Sequence, residues 1–190
     1  MYDDEFELTF DLSDEDKASR APAPEQEPVQ EAAPEPAAET EPPVEAVPEP
    51  AVPAANGRCV LISGGDRGIG AAAARAFWQA GYRVAVLYHT HAEEAAALEK
   101  ALPGLLAVQC DVASRASCEV AFHTVEQAVG HVDVLVSNAG IAQQKLFTDI
   151  TPEEWQHMLD VNLSGAFHLC QLALPGMIRR KAGRILTVSS

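Results

Sequence analysis

From Arg58 onward the chain alternates short apolar runs with helical segments, and this alternation constrains the fold more than any other feature. Runs that are apolar at nearly every position are typical of parallel strands buried on both faces. Such strands joined by helices predict an α/β fold, a doubly wound parallel sheet in three α/β/α layers. The predicted strands are Cys59–Ser63, Val84–Tyr88, Leu105–Cys110, Val132–Ser137 and Arg184–Val188.

The segments between these runs carry recognisable helix starts and ends. Thr151 offers a capping side chain, Pro152 stands at the first helical position and Glu154 at the third, a strong predicted helix start. The helical pattern is expected to continue from Trp155 towards Arg180, with a bend at Pro175 and Gly183 as the residue that stops it. The other predicted helices are Ala71–Ala80, a segment through Glu93–Leu98, and one capped by Ser114 that ends at Val129 before Gly130.

Residues 1–57 differ sharply in composition from residues 58–190. They hold 16 of the 28 acidic residues and 10 of the 13 prolines, with Lys17 and Arg20 as their only basic residues. Such a segment cannot bury enough apolar area to offset the entropy of ordering, so we predict a disordered acidic tail before one domain. The domain is nearly neutral, and the absence of a basic patch argues against nucleic-acid binding.

The start of the tail has an alternating pattern of its own. Tyr2, Phe6, Leu8, Phe10 and Leu12 occupy even positions among acidic residues. A period of two could pair with a sheet edge as a docking motif. The alternative is a solvated acidic terminus, because chain termini are usually loose.

Several functional classes are unexpected from the sequence. Its start lacks the basic and apolar regions of a signal peptide, and no run approaches the ~20 apolar residues of a membrane span. The four cysteines form no Cys-x-x-Cys pair, which favours reduced thiols in a cytoplasmic protein. The histidines show no paired ligand spacing, so no metal is expected.

A glycine-rich turn joins the first predicted strand to its helix. It reads Ser63-Gly64-Gly65-Asp66-Arg67-Gly68-Ile69-Gly70. Glycines at this point let the backbone turn tightly and approach a pyrophosphate, whose charge the following helix N-terminus stabilises. An ordinary loop is the alternative, but the position between a strand and a helix favours a dinucleotide site.

The Gly-x-x-x-Gly-x-Gly spacing, together with Ser137-Asn138-Ala139-Gly140, resembles the short-chain dehydrogenase/reductase family. The resemblance implies a Rossmann-type fold. It implies that Asp111 and Val112 hold the adenine ring, and that Asn162 and Ser190 match two catalytic positions. The residues expected to bind cofactor are Gly64, Arg67, Gly68, Ile69, Gly70, His89, Asp111, Val112, Asn138, Ala139 and Gly140.

The choice of cofactor can be argued from charge. An NAD site usually has an acidic residue at the end of the second strand to accept from the ribose 2′-hydroxyl. That strand ends Leu87-Tyr88-His89-Thr90 without a carboxylate, whereas Arg67 supplies a permanent cation. NADP(H) is therefore expected, with His89 as a second contact to the 2′-phosphate. A solvated loop charge is the alternative role for Arg67.

Residues 139–190 look like the branch of the family that reduces 5-aminopentanone-modified elongation factor P, with 3-oxoacyl-acyl-carrier-protein reductases as the alternative. The expected partners are modified elongation factor P or a small carbonyl substrate, with homo-oligomers typical of the family. The family's Tyr-x-x-x-Lys pair follows the fifth strand, so residues 1–190 alone are expected to be a truncated domain, inactive and marginally stable. A non-catalytic dinucleotide-binding module and an interaction protein acting through its tail are the remaining alternatives.

Overall fold

The computed structural model describes residues 55–189, so nearly all of the predicted tail, its docking pattern and Ser190 lie outside the described residues. The strands are β1 (Cys59–Ser63), β2 (Arg83–Tyr88), β3 (Leu106–Gln109), β4 (Val134–Ser137) and β5 (Arg184–Thr187). The α-helices are α1 (Gly68–Gln79), α2 (Ala92–Ala101), α3 (Arg115–Val129), α4 (Pro152–Leu159) and α5 (Gly165–Arg180). No helix in the described part of the chain has both the length and the apolar character needed to cross a membrane.

All five strands run parallel in one sheet, in the order β3-β2-β1-β4-β5. Leu61 of β1 lies between Ala85 of β2 and Leu135 of β4, and all three side chains are buried. The order reverses between β1 and β4, and such a switch point opens a crevice at the carboxyl ends of the strands.

Helices cover both faces of the sheet, so the predicted three-layer α/β/α architecture is confirmed. One face packs against α3 and α5 in a cluster that includes Leu61, Val125 and Leu169. The other packs against α1 and α2 in a cluster that includes Ile62 and Trp78. Because β1 contributes alternate residues to both clusters, it is apolar throughout rather than at every second position.

The predicted strands agree with the observed ones to within two residues, but one helix start and one helix stop signal differ. Helix α1 begins at Gly68, earlier than the predicted Ala71. Helix α5 ends at Arg180, as predicted, but the residue that stops it is Lys181, in a left-handed conformation with φ of 52°, rather than Gly183. Close packing explains that glycine instead, because an added Cβ would lie 2.5 Å from Cγ of Met177.

The predicted helix start at Thr151 is confirmed. Its side chain accepts from the Glu154 amide, and the Glu154 carboxylate accepts from the Thr151 amide, which completes a capping box. A π-helical turn, Asp160–Ser164, then separates α4 from α5. The irregularity in the helix therefore lies around Asn162, whereas Pro175 lies within a continuous α5.

Candidate functional site

A cavity of about 340 Å³ opens at the carboxyl ends of β1, β2, β3 and β4. Its walls include ten of the eleven residues predicted to bind cofactor and come from all four of these strand ends. Those ten residues are Gly64, Arg67, Gly68, Ile69, His89, Asp111, Val112, Asn138, Ala139 and Gly140. The topology thus brings together residues that lie up to 76 positions apart in the sequence.

The glycine loop adopts a shape that side chains would hinder. Gly64 and Gly68 have φ of +60° and +54°, a region that favours glycine. Arg67 is the N-cap residue of α1 but makes no side-chain hydrogen bond to the helix amides. The first amides of α1 therefore remain available to an anion, as in phosphate sites at helix N-termini.

Gly70 is the one predicted cofactor residue that does not line the cavity. A Cβ at this position would lie 2.0 Å from the Gly64 carbonyl oxygen and 2.7 Å from Nδ2 of Asn138. The last glycine of the motif therefore permits close packing of α1 against the loop, which is a supporting role.

Asn138 joins the glycine loop to β4. Its Nδ2 donates to the carbonyl oxygens of Ser63, at 3.1 Å, and Gly64, at 2.8 Å. In return, the buried Ser63 hydroxyl accepts from the amides of Asn138 and Ala139. The Asn138 side chain is thus committed to holding the loop beside the central sheet, and its contribution to the site is positional.

Asp111 and Val112 form the cavity wall beyond β3. The Asp111 Oδ1 accepts from the Ala113 amide at 3.0 Å, and the Asp111 amide donates to the Ser117 hydroxyl at 3.0 Å. This bonding closes the turn before α3 and fixes the wall where the family resemblance implies an adenine ring.

The neighbouring thiols have unequal acidity. Sγ of Cys110, on the cavity wall, lies 4.0 Å from Sγ of Cys118 in α3. The hydrogen bond between the two thiols lowers the pKa of Cys110, whereas that same contact and burial raise the pKa of Cys118. Cys110, on the cavity wall, is therefore the more acidic thiol of the pair.

Asn162, a predicted catalytic residue, lies in the π-helical turn beside the cavity but does not line it. Its Nδ2 donates to the Ile141 carbonyl oxygen at 2.9 Å, and its Oδ1 accepts from the Ile141 amide at 2.8 Å. This paired bond fixes the chain after β4. Gly140 leaves room for it, because an added Cβ would lie 3.2 Å from Oδ1 of Asn162.

The structure adds an acidic residue that sequence reasoning missed. Asp66 lines the cavity, and its Oδ2 lies 3.6 Å from Nδ1 of His91, just beyond the end of β2. No carboxylate lies at the end of β2 in the sequence, but the loop after the neighbouring strand β1 brings the Asp66 carboxylate close to it. The sequence signal that could have identified Asp66 is its position next to Arg67 within the glycine motif. Other lining residues not predicted include Leu87, Tyr88, Thr90, Ile141, His157 and Val161.

A doubly wound sheet with a glycine loop at its switch point defines a dinucleotide-binding α/β protein. Residues 58–190 match the family model described as short chain dehydrogenase, and the chain therefore belongs to the short-chain dehydrogenase family. The resemblance drawn from the motifs is confirmed. Members of this family are oxidoreductases that bind nicotinamide dinucleotides.

Two named relatives illustrate the similarity. The acetoacetyl-CoA reductase of Shinella zoogloeoides is 40% identical over 133 residues, which are 70% of this chain and 55% of that protein. The 3-oxoacyl-[acyl-carrier-protein] reductase MabA of Mycobacterium tuberculosis is 39% identical over 133 residues, 70% of this chain and 51% of that protein. The chain thus spans about half the length of these relatives.

Solved structures agree with this assignment. The crystal structure of gox2181 matches with a TM-score of 0.66 and 31% identity, covering 70% of this chain and 53% of that one. A protein from Novosphingobium aromaticivorans described as a short-chain dehydrogenase matches with a TM-score of 0.65 and 30% identity, covering 70% and 52%.

The names of the two relatives bear on the predicted branch. Both are reductases of 3-oxoacyl thioesters, whereas neither is named for elongation factor P. The similarity therefore supports the alternative drawn from the sequence better than the elongation factor P branch.

Proposed function

We propose that this protein is an NADP(H)-dependent reductase of 3-oxoacyl thioesters. The observation that carries the proposal is the cavity at the sheet's switch point, where the glycine loop, the uncapped N-terminus of α1 and Arg67 converge. Family membership supplies the reaction class, and the names of the relatives supply the substrate class.

The residues present fit a dinucleotide. Gly64 and Gly68, both with positive φ, line the cavity without side chains that would keep an anion from the N-terminus of α1, and Arg67 adds a permanent positive charge to the lining. Helix α1 has no acidic residue in its first turn to repel a pyrophosphate. Asp111 and Val112 would flank the adenine, and His89 would join Arg67 at the 2′-phosphate.

When bound, NADPH supplies the hydride that reduces a ketone to an alcohol. The contribution of the described residues is to hold the dinucleotide and to order the chain after β4. The Asn162 side chain, bonded to the backbone of Ile141, would keep this segment in one position beside the reacting carbonyl. Asn162 is accordingly a positioning residue, and Ser190 is proposed as the donor to the substrate oxygen.

The test is reduction of acetoacetyl-CoA by the purified full-length protein, followed by the loss of NADPH absorbance. We expect turnover with acetoacetyl-CoA and none with 5-aminopentanone-modified elongation factor P. A Gly68→Asp variant, which places a carboxylate at the start of α1, should lose NADPH binding; the exposed Glu119→Gln change on α3 is the control. Turnover of modified elongation factor P alone would overturn the substrate assignment, and failure to bind either NADPH or NADH would overturn the function.

We also propose that the protein forms homo-oligomers. Phe167, Leu174 and Ile178 lie on one side of α5 at spacings of seven and four residues, and all three are exposed. Exposed apolar patches of this kind often mark interfaces. A second copy of the same helix would cover such a stripe in a symmetric dimer.

A further inference from the structure

The nearly buried carboxylate of Asp66 is the one charge in the cavity that the proposed function does not use. Asp66 is 8% exposed and lies between Gly65 and Arg67 in the glycine loop. Aspartate is rarely buried to this degree without a partner, because removing its charge from water is costly. The burial of Asp66 therefore indicates either a charged or hydrogen-bonding group beside its carboxylate or a role in ligand binding.

Contacts on both sides fix where this carboxylate lies. The Gly65 amide donates to the Leu87 carbonyl oxygen at 3.1 Å, which ties the loop to β2. The Asp66 Oδ2 then lies 3.6 Å from Nδ1 of His91, and Oγ1 of Thr90 lies 3.2 Å from that same nitrogen. The carboxylate consequently faces the turn between β2 and α2.

This turn is where doubly wound folds discriminate between the two nicotinamide dinucleotides. An acidic side chain at the carboxyl end of the second strand accepts from the 2′-hydroxyl of NAD, whereas an arginine accommodates the 2′-phosphate of NADP. The present cavity has both kinds of group, Asp66 and Arg67, on adjacent residues of one loop. They form no ion pair with each other within residues 55–189.

We propose that Asp66 and His91 are specificity-determining residues of the cofactor site. The Asp66 carboxylate opposes the 2′-phosphate that Arg67 attracts, and His91, held against the carboxylate, offsets that opposition. The inference rests on the proposed function, since it concerns the same cofactor site. It predicts a protein that binds both dinucleotides and prefers NADPH by less than about a hundredfold, because the opposing charges partly cancel.

The test measures dissociation constants for NADPH and NADH by fluorescence titration of the full-length protein, without any substrate. Asp66→Asn keeps the side chain's size and removes its charge, so NADPH should bind about tenfold more tightly while NADH binds equally or less well. Arg67→Gln should act in the opposite direction. The control is Glu93→Gln, an equal charge change in the first turn of α2 but outside the cavity, which should leave the NADPH to NADH ratio within about twofold.

The double variant tests whether His91 acts through Asp66. His91→Gln should weaken NADPH binding relative to NADH binding. The same substitution should have no such effect when it is added to Asp66→Asn in the double variant. A merely structural role for His91 would weaken both dinucleotides alike. Titrations with 2′,5′-ADP and 5′-AMP, which lack the nicotinamide, should reproduce the same pattern if the ribose end of the cavity is responsible.

The outcomes separate the inference from the function on which it rests. Wild-type protein that binds neither dinucleotide contradicts the proposed function, and the inference falls with it. Wild-type protein that binds both, with an unchanged ratio in Asp66→Asn, contradicts the inference alone. If circular dichroism shows that Asp66→Asn is unfolded, the half-exposed His91→Gln decides, and an unchanged ratio in that variant overturns the inference.

Discussion

Strands β1 and β5 are both short and parallel, and both have apolar residues at their centre, yet their surroundings are opposite. All five residues of β1 are buried between β2 and β4. Strand β5 pairs with β4 alone within residues 55–189, and Leu186 remains 46% exposed. Apolar central residues are thus enclosed in one strand and exposed in the other, because burial depends on what packs alongside.

The helices next to these two strands also differ in how completely they are packed. Helix α1, after β1, packs so closely on the glycine loop that Gly70 has no room for a side chain. Helix α5, before β5, buries Leu169 and Met177 on one side but exposes Phe167 and Ile178 on the other. The β1 region is closed by its own chain, whereas the β5 region leaves apolar side chains exposed within residues 55–189.

The largest expected difference between the two regions is in stability. Leu61→Ala in β1 should lower the free energy of unfolding by about 2–5 kcal/mol, because it leaves a cavity in the core. Leu186→Ala in β5 should cost less than about 1 kcal/mol, since its side chain is half exposed. Urea unfolding of both variants measures the difference, and equal decreases in the free energy of unfolding would contradict the prediction.

Substitutions at two glycines, one in each region, are expected to have opposite effects on stability. Gly70→Ala should cost about 1–3 kcal/mol and abolish dinucleotide binding, because the new Cβ meets the Gly64 carbonyl. Gly176→Ala in α5 should instead stabilise the protein by about 0.4–1 kcal/mol, because alanine favours a helix and the nearest atom belongs to the flexible Arg180 side chain. Thermal unfolding with and without NADPH checks both signs, and destabilisation by Gly176→Ala would contradict the second.

The exposed side of α5 can be tested through self-association. Phe167→Glu should weaken dimerisation tenfold or more, on the order of 1.4 kcal/mol, because it places a charge in an apolar contact. Val120→Glu is the matched control, since Val120 is equally apolar and 70% exposed but lies on α3. Sedimentation equilibrium compares the two variants, and an equal effect of both would argue against an α5 interface.

A further expected difference between the two regions concerns the reactivity of two thiols. Burial raises the pKa of Cys59 in β1 from 9.0 to about 11, and burial also raises the pKa of the less buried Cys170 in α5. Because the thiolate is the reactive form, Cys59 should be alkylated roughly 100-fold more slowly in the folded than in the unfolded protein. Tryptic peptides 59–67 and 146–179 report the two sites separately by mass spectrometry, and faster reaction of Cys59 than Cys170 would reverse the predicted order.

The raised pKa of Cys59 also sets a direction for stability against pH. The folded protein retains this proton more tightly than the unfolded chain does. The contribution of Cys59 to stability is therefore complete below the ordinary thiol pKa of 9.0 and declines as the pH rises towards about 11. Urea unfolding across that range should show a decline that is smaller in a Cys59→Val variant.

Much of the fold could be predicted because its signals are local. The apolar run at β1, the Thr151 capping box and the glycine loop each depend on neighbouring residues, and the structure confirms all three. The end of α5 at Arg180 agrees with the prediction, but the stop residue was predicted wrongly because Lys181 adopts the left-handed conformation usually left to glycine. That choice depends on the Lys181 amide donating to Ile178 and on packing around Gly183, which the sequence pattern does not reveal.

The residues of the candidate site also fall into those that local motifs predict and those that depend on tertiary contacts. Its glycines, Arg67 and Asp111 could be found from motifs, since their roles follow from position in a strand, turn and helix. Asp66 could not be found in this way, because only the residues at the end of β2 were considered. The carboxylate instead comes from the loop after the neighbouring strand β1. The side chain of Asn138 likewise holds the loop after β1 through contacts 74 and 75 residues away.

The sequence by itself determined the α/β class, the glycine loop and the family, because strand, turn and helix signals act over a few residues. Which strand is enclosed, where α5 leaves its apolar side chains exposed, and which charges share the cavity depend on the tertiary structure. Those features depend on parallel strands meeting at one edge of a sheet. Residues distant in the chain become neighbours there, and their burial and charge balance exist only once the strands have paired.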